Sequence, residues 1–433
     1  MTTARCFIGI GSNQAARLNV LEQAARLIAS HPASRGLKAS PVFENPAVVL
    51  DGAPDSWRQP FLNAVIELHW ASSAEELFHL LKKTEADLGR MPGPRWAPRV
   101  IDLDLLIFAD EVLNSPHLSV PHPEMHHRDF VLTPLKHLAP AMVPPLTNRS
   151  SVLQLARKLP RQMPLWMGIL NLTPDSFSDG GLLEQGRSLQ TRLDLFEQNF
   201  VHCLDLGAES TRPGAPALTA SEEWQRLEPG LSCLRTRYQH RIFRPKISVD
   251  TYRAATATRA LELGCDLIND VSGLSDPEMI NVVKNSGCDY VLMHSLTVPA
   301  DPSITIQSDD PVVALKRWAE FKIEQLVNGG VPIEQIIFDP GIGFGKTSRQ
   351  SIEILRRINE LLDLPVRLLI GHSRKTFLVH GLVHGNGSPP PARERDPETL
   401  ALSLRLANQG VDILRVHAAD LHHRAFRTLQ ELQ

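Results

Sequence analysis

Two acidic side chains could bind a divalent metal ion in the stretch RWAPRVIDLDLLIF, residues 95–108. Asp102 and Asp104 interrupt an apolar run that has the composition of a half-buried β-strand. Because alternate residues of a strand project from the same face, both carboxylates point to one side and the apolar residues around them to the other. Two carboxylates this close repel each other unless a cation lies between them. The pair therefore predicts a metal site, with a solvated sheet face as the alternative.

Arginine and histidine side chains near this pair would suit a phosphate-bearing substrate. Arg90, Arg95 and Arg99 precede the acids, and guanidinium groups bind phosphate oxygens with paired hydrogen bonds. Further along, the segment VPHPEMHHRDF adds His122 and Arg128. Mg²⁺ favours a site with few carboxylates, because such a site keeps coordination positions for substrate oxygens. Paired acids beside arginines therefore predict phosphoryl or pyrophosphoryl transfer from a nucleotide.

A second group of polar residues stands at the ends of apolar runs in the C-terminal half. Asp250, Asn269 and Asp339 each end such a run, where a carboxylate is costly unless it meets a hydrogen-bond donor. A flat heterocycle rich in N–H groups would satisfy all three. Two long polar loops, 171–181 and 209–215, follow the first two runs and suggest a lid that excludes water. Cationic and donor side chains that suit a diphosphate leaving group follow the last two runs, namely Lys375, Arg415 and His417.

Eight strand–helix repeats would bring these strand ends together. The apolar runs are PLWMGILN, VHCLDLGAES, KISVD, CDLIND, DYVLMH, IIFD, RLLIGHSRK and VDILRVH, and each ends in polar residues. Their number and spacing predict a (β/α)8 TIM barrel, whose active site lies at the carboxyl ends of the strands. A doubly wound open sheet is the alternative, but the sequence has no dinucleotide fingerprint at a switch point.

The N-terminal half mixes short strands and helices. Strand composition marks RCFIGIG, LKASPVFE, FLNAVIELHW and VIDLDLLIF, while helical spacing marks residues 17–30 and 73–89. Ser73, with Glu76 three positions later, predicts a capping box at the start of the second helix. This order of elements predicts an α+β domain with helices packed on a mostly antiparallel sheet.

Length and composition bound the architecture and the partners. The chain has 433 residues, of which 42% are hydrophobic and 21% charged, and its net charge is −3. This length predicts two domains. The proline-rich segment 140–163 is the predicted boundary between them, which gives the domains 1–158 and 159–433. The small net charge gives no long-range attraction for nucleic acid or an anionic membrane, so we expect neither as a partner.

Cysteine usage and hydropathy predict a cytoplasmic location. The five cysteines are scattered singly, without Cys-x-x-Cys pairs, which is typical of reduced thiols. The start of the sequence enters a strand-like run directly, which leaves no room for a signal segment, and no window is apolar enough to span a bilayer.

Two glycine-rich segments match phosphate-binding loops only in part. FIGIGSNQ has Gly9 and Gly11 after a strand, but Gln14 stands where the dinucleotide fingerprint needs its third glycine. PGIGFGKT, residues 340–347, nearly matches a P-loop, but Pro340 stands at the first glycine position and has no N–H to donate to a phosphate. The second segment is compatible with an anion-binding turn and incompatible with a Walker-type kinase.

The N-terminal half resembles the 6-hydroxymethyl-7,8-dihydropterin pyrophosphokinases over residues 4–158. The resemblance is carried by the run GRMPGPRWAPRVIDLDLLIF…SVPHPEMHHRDF, together with GIGSN and FLNAV. It implies a ferredoxin-like fold that transfers the terminal pyrophosphoryl group of ATP to the hydroxymethyl group of the pterin.

This resemblance also implies residue roles. Asp102 and Asp104 would hold two Mg²⁺ ions that bridge the ATP phosphates. Asn63 would hydrogen-bond the pterin edge, with the ring between Phe61 and Phe130. The loop that closes over the site would carry Arg90, Arg95, Trp96 and Arg99, and the phosphates would also be contacted by His122 and Arg128. Arg90 and Arg99 are counted as catalytic together with the two acids. Three positions depart from the usual glutamine, threonine and arginine, which leaves individual ATP contacts open: Lys82, Asn45 and His117.

The C-terminal half resembles dihydropteroate synthases over residues 163–431. MGILNLTPDSFSDGG and ESTRPGA carry the resemblance, and DPGIGFGK, GHSRK and RVH follow in the same order. It implies condensation of the pterin diphosphate with 4-aminobenzoate, giving 7,8-dihydropteroate and pyrophosphate. Ala208 and Ala418 depart from the usual glycine and aspartate without touching an expected ligand.

The second resemblance implies four groups of residues. Pterin binding would come from Asp250, Asn269, Asp339, Lys375, Met293 and Arg415. Diphosphate binding would come from Asn171, Arg212, Arg415 and His417, with Asn171 also a ligand of one Mg²⁺. The aminobenzoate pocket would consist of Thr211, Pro213, Phe177, Phe344, Lys375 and Thr376. The residues counted as catalytic here are Lys375, Asp339 and Arg212.

Together the two halves predict a bifunctional folate-pathway enzyme, in which the product of the first site is the substrate of the second. Its expected partners are the dihydropterin, ATP and 4-aminobenzoate, and a homodimer through the barrel stays open. One alternative is that one half is catalytically silent. The other is a pterin-binding methyltransferase-type barrel, which would not need the Thr-Pro-Asp-Ser-Phe and Ser-Thr-Arg-Pro loops.

Overall fold

The computed structural model describes residues 3–94, 96–160, 163–172, 182–209, 217–379 and 389–432, with the backbone alone for 182–188. The chain forms two compact units. One consists of residues 1–162, 240–244 and 427–433, and the other of residues 163–239 and 245–426.

The first unit is built on an antiparallel sheet. Its strands are β1 (Ala4–Ser12), β2 (Ser34–Ala39), β3 (Phe43–Asn45), β4 (Phe61–Trp70), β5 (Asp102–Phe108), β6 (Leu113–Asn114) and β7 (Ser119–Val120). Its helices are α1 (Arg17–Ser30), α2 (Ala74–Asp87), α3 (Asp129–Lys136) and α4 (Val152–Arg157). In the described residues the main sheet has the order β2-β4-β1-β5, with β3 also paired to β4. The α+β class predicted from the sequence is confirmed.

One predicted strand of this unit is interrupted. Residues 37–44 form parts of two strands, because Pro41 has no N–H to give to the ladder. The Ser40 hydroxyl takes over part of the pairing by accepting the N–H of Val65 at 2.9 Å. The prediction of one continuous strand was therefore wrong.

The predicted capping box of α2 is only half formed. Ser73 accepts the N–H of Glu76 at 3.2 Å, as predicted. The Glu76 carboxylate, however, accepts a hydrogen bond from the Ser72 hydroxyl instead of the Ser73 N–H. The helix start is therefore capped from one side, and the reciprocal bond of a capping box is replaced by a bond between side chains.

Burial along β5 follows the predicted alternation. Asp102 and Asp104 are partly exposed, whereas Leu103 between them is fully buried. Leu106, two residues beyond Asp104 on the same face, belongs to the apolar cluster that packs α3 and α4 on the sheet, with Val65 and Leu132 among its members. The two acids therefore lie on this face just beyond the edge of the core.

The strands that follow alternate with helices. They are β8 (Leu165–Asn171), β9 (Cys203–Gly207), β10 (Lys246–Asp250), β11 (Leu267–Asp270), β12 (Asp289–Met293), β13 (Ile336–Asp339), β14 (Arg367–Ile370) and β15 (Ile413–Val416). The helices are α5 (Leu182–Gln198), α6 (Ala220–Tyr238), α7 (Ala254–Glu262), α8 (Met279–Ser286), α9 (Pro311–Asn328), α10 (Ser348–Arg356), α11 (Asp396–Asn408) and α12 (Ala419–Glu431). Each of the eight predicted apolar runs contains one of these strands.

The eight strands close into a parallel barrel. The closing pair is β15 with β8, where Ile413 lies opposite Leu165, so the open-sheet alternative is wrong. Apolar side chains from the strands form one buried cluster of the barrel core: Leu165, Met167, Cys203, Leu267, Val291, Ile337, Leu369 and Ile413. A packed interior places ligands at the strand ends rather than inside the barrel. Among the described residues, none of the helices combines the length and apolar character needed to cross a bilayer.

Candidate active sites

Glycine at two positions of β1 opens the sheet face that carries the acids. Gly11 pairs with Asn63 of β4 on one side and with Asp102 of β5 on the other, and Gly9 pairs with Asp104. A Cβ atom on Gly11 would lie only 2.8 Å from Asn63 Oδ1. The GIG segment, which fails as a dinucleotide fingerprint, therefore leaves space between the predicted pterin-binding amide and the predicted metal-binding acids.

Three arginine side chains form ion pairs with these two acids. Arg90 Nη1 is 2.7 Å from Asp102 Oδ1, and Arg99 Nη1 is 2.8 Å from Asp102 Oδ2. Arg128 Nη1 lies 3.9 Å from Asp104 Oδ2. The side chains of the two acids are 27% and 33% exposed, so a ligand can reach both. The structure thus brings the predicted acids and three of the predicted arginines into one cluster.

Glu85 of α2 is a member of this cluster that sequence reasoning missed. Its Oε1 accepts the N–H of Leu103 at 2.7 Å and lies 3.1 Å from Lys82 Nζ. The same carboxylate pairs with Arg90, which therefore bridges Glu85 and Asp102. Lys82 also donates to the Leu103 carbonyl at 2.9 Å, so this residue, found where glutamine is usual, supports the β5 backbone. The signal available in the sequence was the position of Glu85, an acidic residue on the apolar face of the predicted helix.

Asn13, in the GIGSN segment, ties the chain before β5 to the end of β1. Its Oδ1 accepts the N–H of Arg99 at 2.7 Å, and its Nδ2 donates to the Gln59 carbonyl at 3.2 Å. Trp96 is partly buried and has a positive φ of 72°. Arg95 lies outside the described residues.

The predicted pterin-binding residues border the same open face. Asn63 Nδ2 donates to Asn45 Oδ1 at 3.1 Å, which leaves the Asn63 oxygen turned toward Gly11. Asn45 Nδ2 is buried and has no hydrogen-bond partner within the described residues. Phe61 and Phe130 are partly buried. An amide pair with a spare buried donor is suited to the edge of a heterocycle.

Two predicted phosphate-site residues, Arg128 and His122, lie near Asp104. The Arg128 guanidinium lies 5.6 Å from the centroid of the Phe130 ring. Burial lowers the pKa of His122, and the charge of Asp104 opposes that shift. His117, by contrast, is exposed.

An acid in the middle of β9 organises the barrel site. Arg415 lies between two carboxylates, with Nε 2.6 Å from Asp205 Oδ2 and Nη2 2.8 Å from Asp250 Oδ2. Asp205 is fully buried and also accepts from the Ser248 hydroxyl and, at 3.3 Å, from Asn269 Nδ2. Asp205 was missed by sequence reasoning, although a lone acid inside an apolar strand of VHCLDLG was a visible signal.

The shared guanidinium does not fully offset the effect of burial on the pKa of Asp250. Burial raises the pKa of Asp250 to about 7, Arg415 opposes the rise, and the neighbouring charge of Asp205 adds to it. Near neutral pH a small change around Asp250 will therefore change its charge state.

Asp339 and Lys375 form a second pair of charges at the barrel mouth. Burial raises the pKa of Asp339, and the charge of Lys375 opposes this. Burial lowers the pKa of Lys375 to about 8. The Lys375 ammonium group donates to the Ile342 carbonyl and lies 4.5 Å from the centroid of the Phe344 ring. Met293, at the end of β12, is buried beside the loop that follows Asp339.

His417 is held by Ser373, another residue missed by sequence reasoning. Ser373 Oγ lies 2.9 Å from His417 Nδ1 and accepts the His417 backbone N–H at 3.2 Å. Thr376 begins a short 3-10 turn, and its hydroxyl accepts from Arg395 at 3.2 Å. Asn171 ends β8 and is partly buried. The remaining predicted residues lie outside the described part of the chain: Phe177, Thr211, Arg212 and Pro213.

A metal ion would have to share its coordination with substrate. The described residues contain no group of three or more His, Cys, Asp or Glu side chains arranged to hold a metal ion. Asp102 and Asp104 supply two carboxylates on one accessible face, and Mg²⁺ is bound in this way when phosphate oxygens and water complete its shell. The donor set therefore fits Mg²⁺ delivered with a nucleotide.

The folds and sites define a chain that joins a nucleotide-dependent kinase domain to a pterin-binding barrel. Residues 7–140 match the family described as 7,8-dihydro-6-hydroxymethylpterin-pyrophosphokinase, and residues 167–417 match the family described as pterin binding enzyme. A folate synthesis bifunctional protein of Chlamydia trachomatis is 34% identical over an alignment of 415 residues, which covers 90% of this chain and 90% of that protein. The chain belongs to this family of bifunctional folate synthesis proteins.

Known structures agree for the barrel. A dihydropteroate synthase of Clostridium difficile, determined in the presence of pteroic acid, is 35% identical with a TM-score of 0.56, covering 63% of this chain and 98% of that one. A dihydropteroate synthase of Yersinia pestis in a sulfonamide drug complex is 33% identical with a TM-score of 0.55, covering 62% and 94%. The chain is accordingly an enzyme with two activities, a hydroxymethyldihydropteridine diphosphokinase and a dihydropteroate synthase. These relatives favour the synthase over the methyltransferase alternative.

Proposed function

We propose that the first site binds ATP with two Mg²⁺ ions on Asp102 and Asp104 and transfers pyrophosphate to the dihydropterin. The ions would supply positive charge beside the phosphates. When Asp102 binds metal instead of guanidinium groups, Arg99 would lose this partner and Arg90 would keep only Glu85, so donors of both guanidinium groups would become available to the transferred phosphates. Arg95, Trp96, His122 and Arg128 complete the nucleotide contacts in this proposal.

The pterin would lie between Phe61 and Phe130, with its edge on Asn63. Support comes from the space beside Gly11 and from the spare donor of Asn45, both on this side of the sheet. The bond from Asn63 Nδ2 to Asn45 directs the Asn63 oxygen toward the space, where a ring N–H can be accepted.

At the second site the pterin diphosphate would be held by residues at the carboxyl ends of the barrel strands. In this proposal the pterin meets Asp250, Asn269, Met293, Asp339, Lys375 and Arg415. The departing pyrophosphate meets Asn171, Arg212, Arg415 and His417, with one Mg²⁺ on Asn171. The amine is held by Phe177, Thr211, Pro213, Phe344, Lys375 and Thr376.

The chemistry follows from charge. Loss of pyrophosphate leaves positive charge spread over the pterin, and the anionic forms of Asp250 and Asp339 stabilise that charge more than the neutral ground state. The amine then attacks the exposed methylene carbon. The observation that carries this proposal is the buried cluster of Arg415 between Asp205 and Asp250, beside Asn269.

A coupled assay tests both halves at once. The chain is given ATP, Mg²⁺, the hydroxymethyl-dihydropterin and 4-aminobenzoate, and AMP and dihydropteroate are followed together. We expect both products. AMP without dihydropteroate, even when pterin diphosphate is supplied, would mean that the barrel is silent; dihydropteroate from supplied diphosphate without AMP from ATP would mean that the kinase half is silent.

We further propose the domain limits 1–158 and 159–433, a cytoplasmic location and a homodimer through the barrel. The location is supported by the cysteines, which are free and mostly buried. Sedimentation of the purified chain tests the dimer, and a monomer at micromolar concentration would contradict it.

A further inference from the structure

Two buried groups of the barrel have no part in the chemistry proposed above. His294 follows β12, and Lys346 ends the glycine-rich loop 340–346. Lys346 Nζ lies 2.9 Å from His294 Nδ1 and donates to the Phe344 carbonyl at 2.8 Å. Lys346 is 7% exposed and His294 is 4% exposed. A buried ammonium group is costly unless acceptors surround it, so these contacts are what allows Lys346 to lie inside the protein.

Burial lowers the pKa of both partners, and it lowers that of Lys346 well below its ordinary value. Burial, together with the nearby charge of Lys346, lowers the pKa of His294 to about 3, so the imidazole is neutral at neutral pH. When Lys346 carries its proton, its ammonium group has donors only, so His294 Nδ1 accepts and Nε2 carries the proton of the imidazole. The ring is also packed edge-to-face on Trp318, with centroids 4.7 Å apart. His294 is thus a fixed acceptor for Lys346.

His294 contacts the loop at its beginning as well as at its end. Gly341 has a φ of +63°, and a Cβ atom there would lie 2.0 Å from the His294 carbonyl oxygen. Only glycine allows the loop backbone to lie this close. The same loop begins with the N–H of Gly341 donating to Asp339 at 2.7 Å. Both ends of the loop are therefore tied to the strand ends of the barrel.

Between these two ends the loop carries the groups that meet Lys375. The Ile342 carbonyl accepts from the Lys375 ammonium group, and the Phe344 ring lies 4.5 Å from it. The Phe344 carbonyl is itself one of the acceptors of Lys346. A change at Lys346 is therefore transmitted directly to the backbone of Phe344 and to the wall beside Lys375.

We propose that Lys346 and His294 are positioning residues for aminobenzoate binding, because their hydrogen bond holds the loop 340–346 so that Phe344 and Lys375 form one wall of the amine pocket. This inference rests on the proposed function of the second site. It gives the lysine of PGIGFGKT a role unlike that of a P-loop lysine, since its ammonium group is turned into the protein instead of toward a phosphate.

Two substitutions of His294 separate the hydrogen bond from the packing. His294→Asn keeps an acceptor oxygen close to the place of Nδ1, whereas His294→Phe keeps a ring against Trp318 and removes the acceptor. Condensation is measured in the full chain with pterin diphosphate and 4-aminobenzoate varied in turn. We expect His294→Phe to raise the KM for 4-aminobenzoate about tenfold with less than about a threefold change in the KM for pterin diphosphate. His294→Asn should stay within about threefold of the unaltered chain for both.

Other outcomes overturn the inference. Equal increases of both KM values, no increase, or an equal defect in the Asn and Phe variants would each mean that the bond does not position the amine pocket. The kcat of condensation at saturating substrates reports whether the barrel of each variant is folded, and AMP release by the first site reports the amount of intact chain. Lys346→Met removes the donor instead of the acceptor and must reproduce the Phe pattern; it decides the question where His294→Phe fails to fold. An unaltered chain that forms no dihydropteroate would instead overturn the proposed function, and this inference with it.

Discussion

Asp205 offers the sharpest test of the barrel site, because it shares Arg415 with Asp250. The charge of Asp205 is one of the causes that raise the pKa of Asp250 to about 7. Asp205→Asn keeps the shape of the side chain and removes that charge. Of the two side chains that contact Arg415, only Asp250 would then be charged. The loss of the Asp205 charge and the undivided attraction of Arg415 both lower the pKa of Asp250.

The size of the shift follows from the contacts. An opposite charge within ~4–6 Å lowers the pKa of a carboxyl group by about 1–3 units, and here two carboxylates share a single guanidinium group. We expect a shift of about 1 unit, which corresponds to ~1.4 kcal/mol in favour of the ionised form. Glu223 and Asp270 also raise the pKa of Asp250 and are unchanged in the variant, so part of the elevation remains.

The assay is the pH dependence of kcat/KM for pterin diphosphate at saturating 4-aminobenzoate, measured from about pH 5 to about pH 9. If anionic Asp250 is required, activity of the unaltered chain falls as pH drops through about 7. The acid limb of Asp205→Asn should lie about 1 unit lower. The basic limb, where Lys375 loses its proton near its pKa of about 8, should stay in place and serves as an internal reference.

Ser248→Ala is the matched control, because it removes one hydrogen bond to Asp205 and leaves its charge. Its acid limb should move by less than about 0.3 units. An acid limb that stays in place in Asp205→Asn, or one that moves equally in both variants, would refute the coupling of these two carboxylates.

Three further results are expected. Asp102→Ala should lower AMP release at least about a hundredfold while condensation of supplied pterin diphosphate persists, because the acid belongs to the first site alone; equal loss of both would contradict separate sites. Gly11→Ala should raise the KM for dihydropterin, since the added methyl group would meet Asn63 Oδ1 at 2.8 Å, and Gly9→Ala, with its nearest neighbour at 3.5 Å, is the milder comparison; equal KM values in the two would exclude the crowding. Sulfonamides should compete with 4-aminobenzoate, and a non-competitive pattern would count against the pocket at Phe344 and Lys375.

The elements of the fold could be predicted from the sequence because their periodicity is local. The run FLNAVIELHW is β4 from its first residue to its last, and residues 17–30 are α1. The alternation of Asp102, Leu103 and Asp104 correctly gives the face of each side chain. Where prediction failed, at Pro41, a missing N–H interrupted a run whose composition was otherwise that of one strand.

The partners of the site residues could not be predicted, since they are distant in the sequence. Asp205 and Arg415 are 210 positions apart, and His294 and Lys346 are 52 apart. Taken alone, each of these residues is only a polar residue in an apolar stretch or a lysine in a glycine-rich loop, and nothing nearby in the sequence indicates its partner. Only closure of the barrel brings the members of each pair together, so the sequence identifies which strand ends carry polar groups but not which groups neutralise each other.

Both units hold an arginine of the proposed sites between two acids, one of which sequence reasoning did not single out. Arg90 bridges Glu85 and Asp102, and Arg415 bridges Asp205 and Asp250. In each case one acid of the pair is the more buried, and the more exposed acid is the one proposed to meet metal or substrate. A guanidinium group held by the buried acid stays in place when the more exposed acid binds metal or pterin. The free-energy cost of ordering the arginine side chain on binding is therefore smaller. This arrangement accounts for why Glu85 and Asp205, although neither faces substrate, should affect substrate affinity when they are changed.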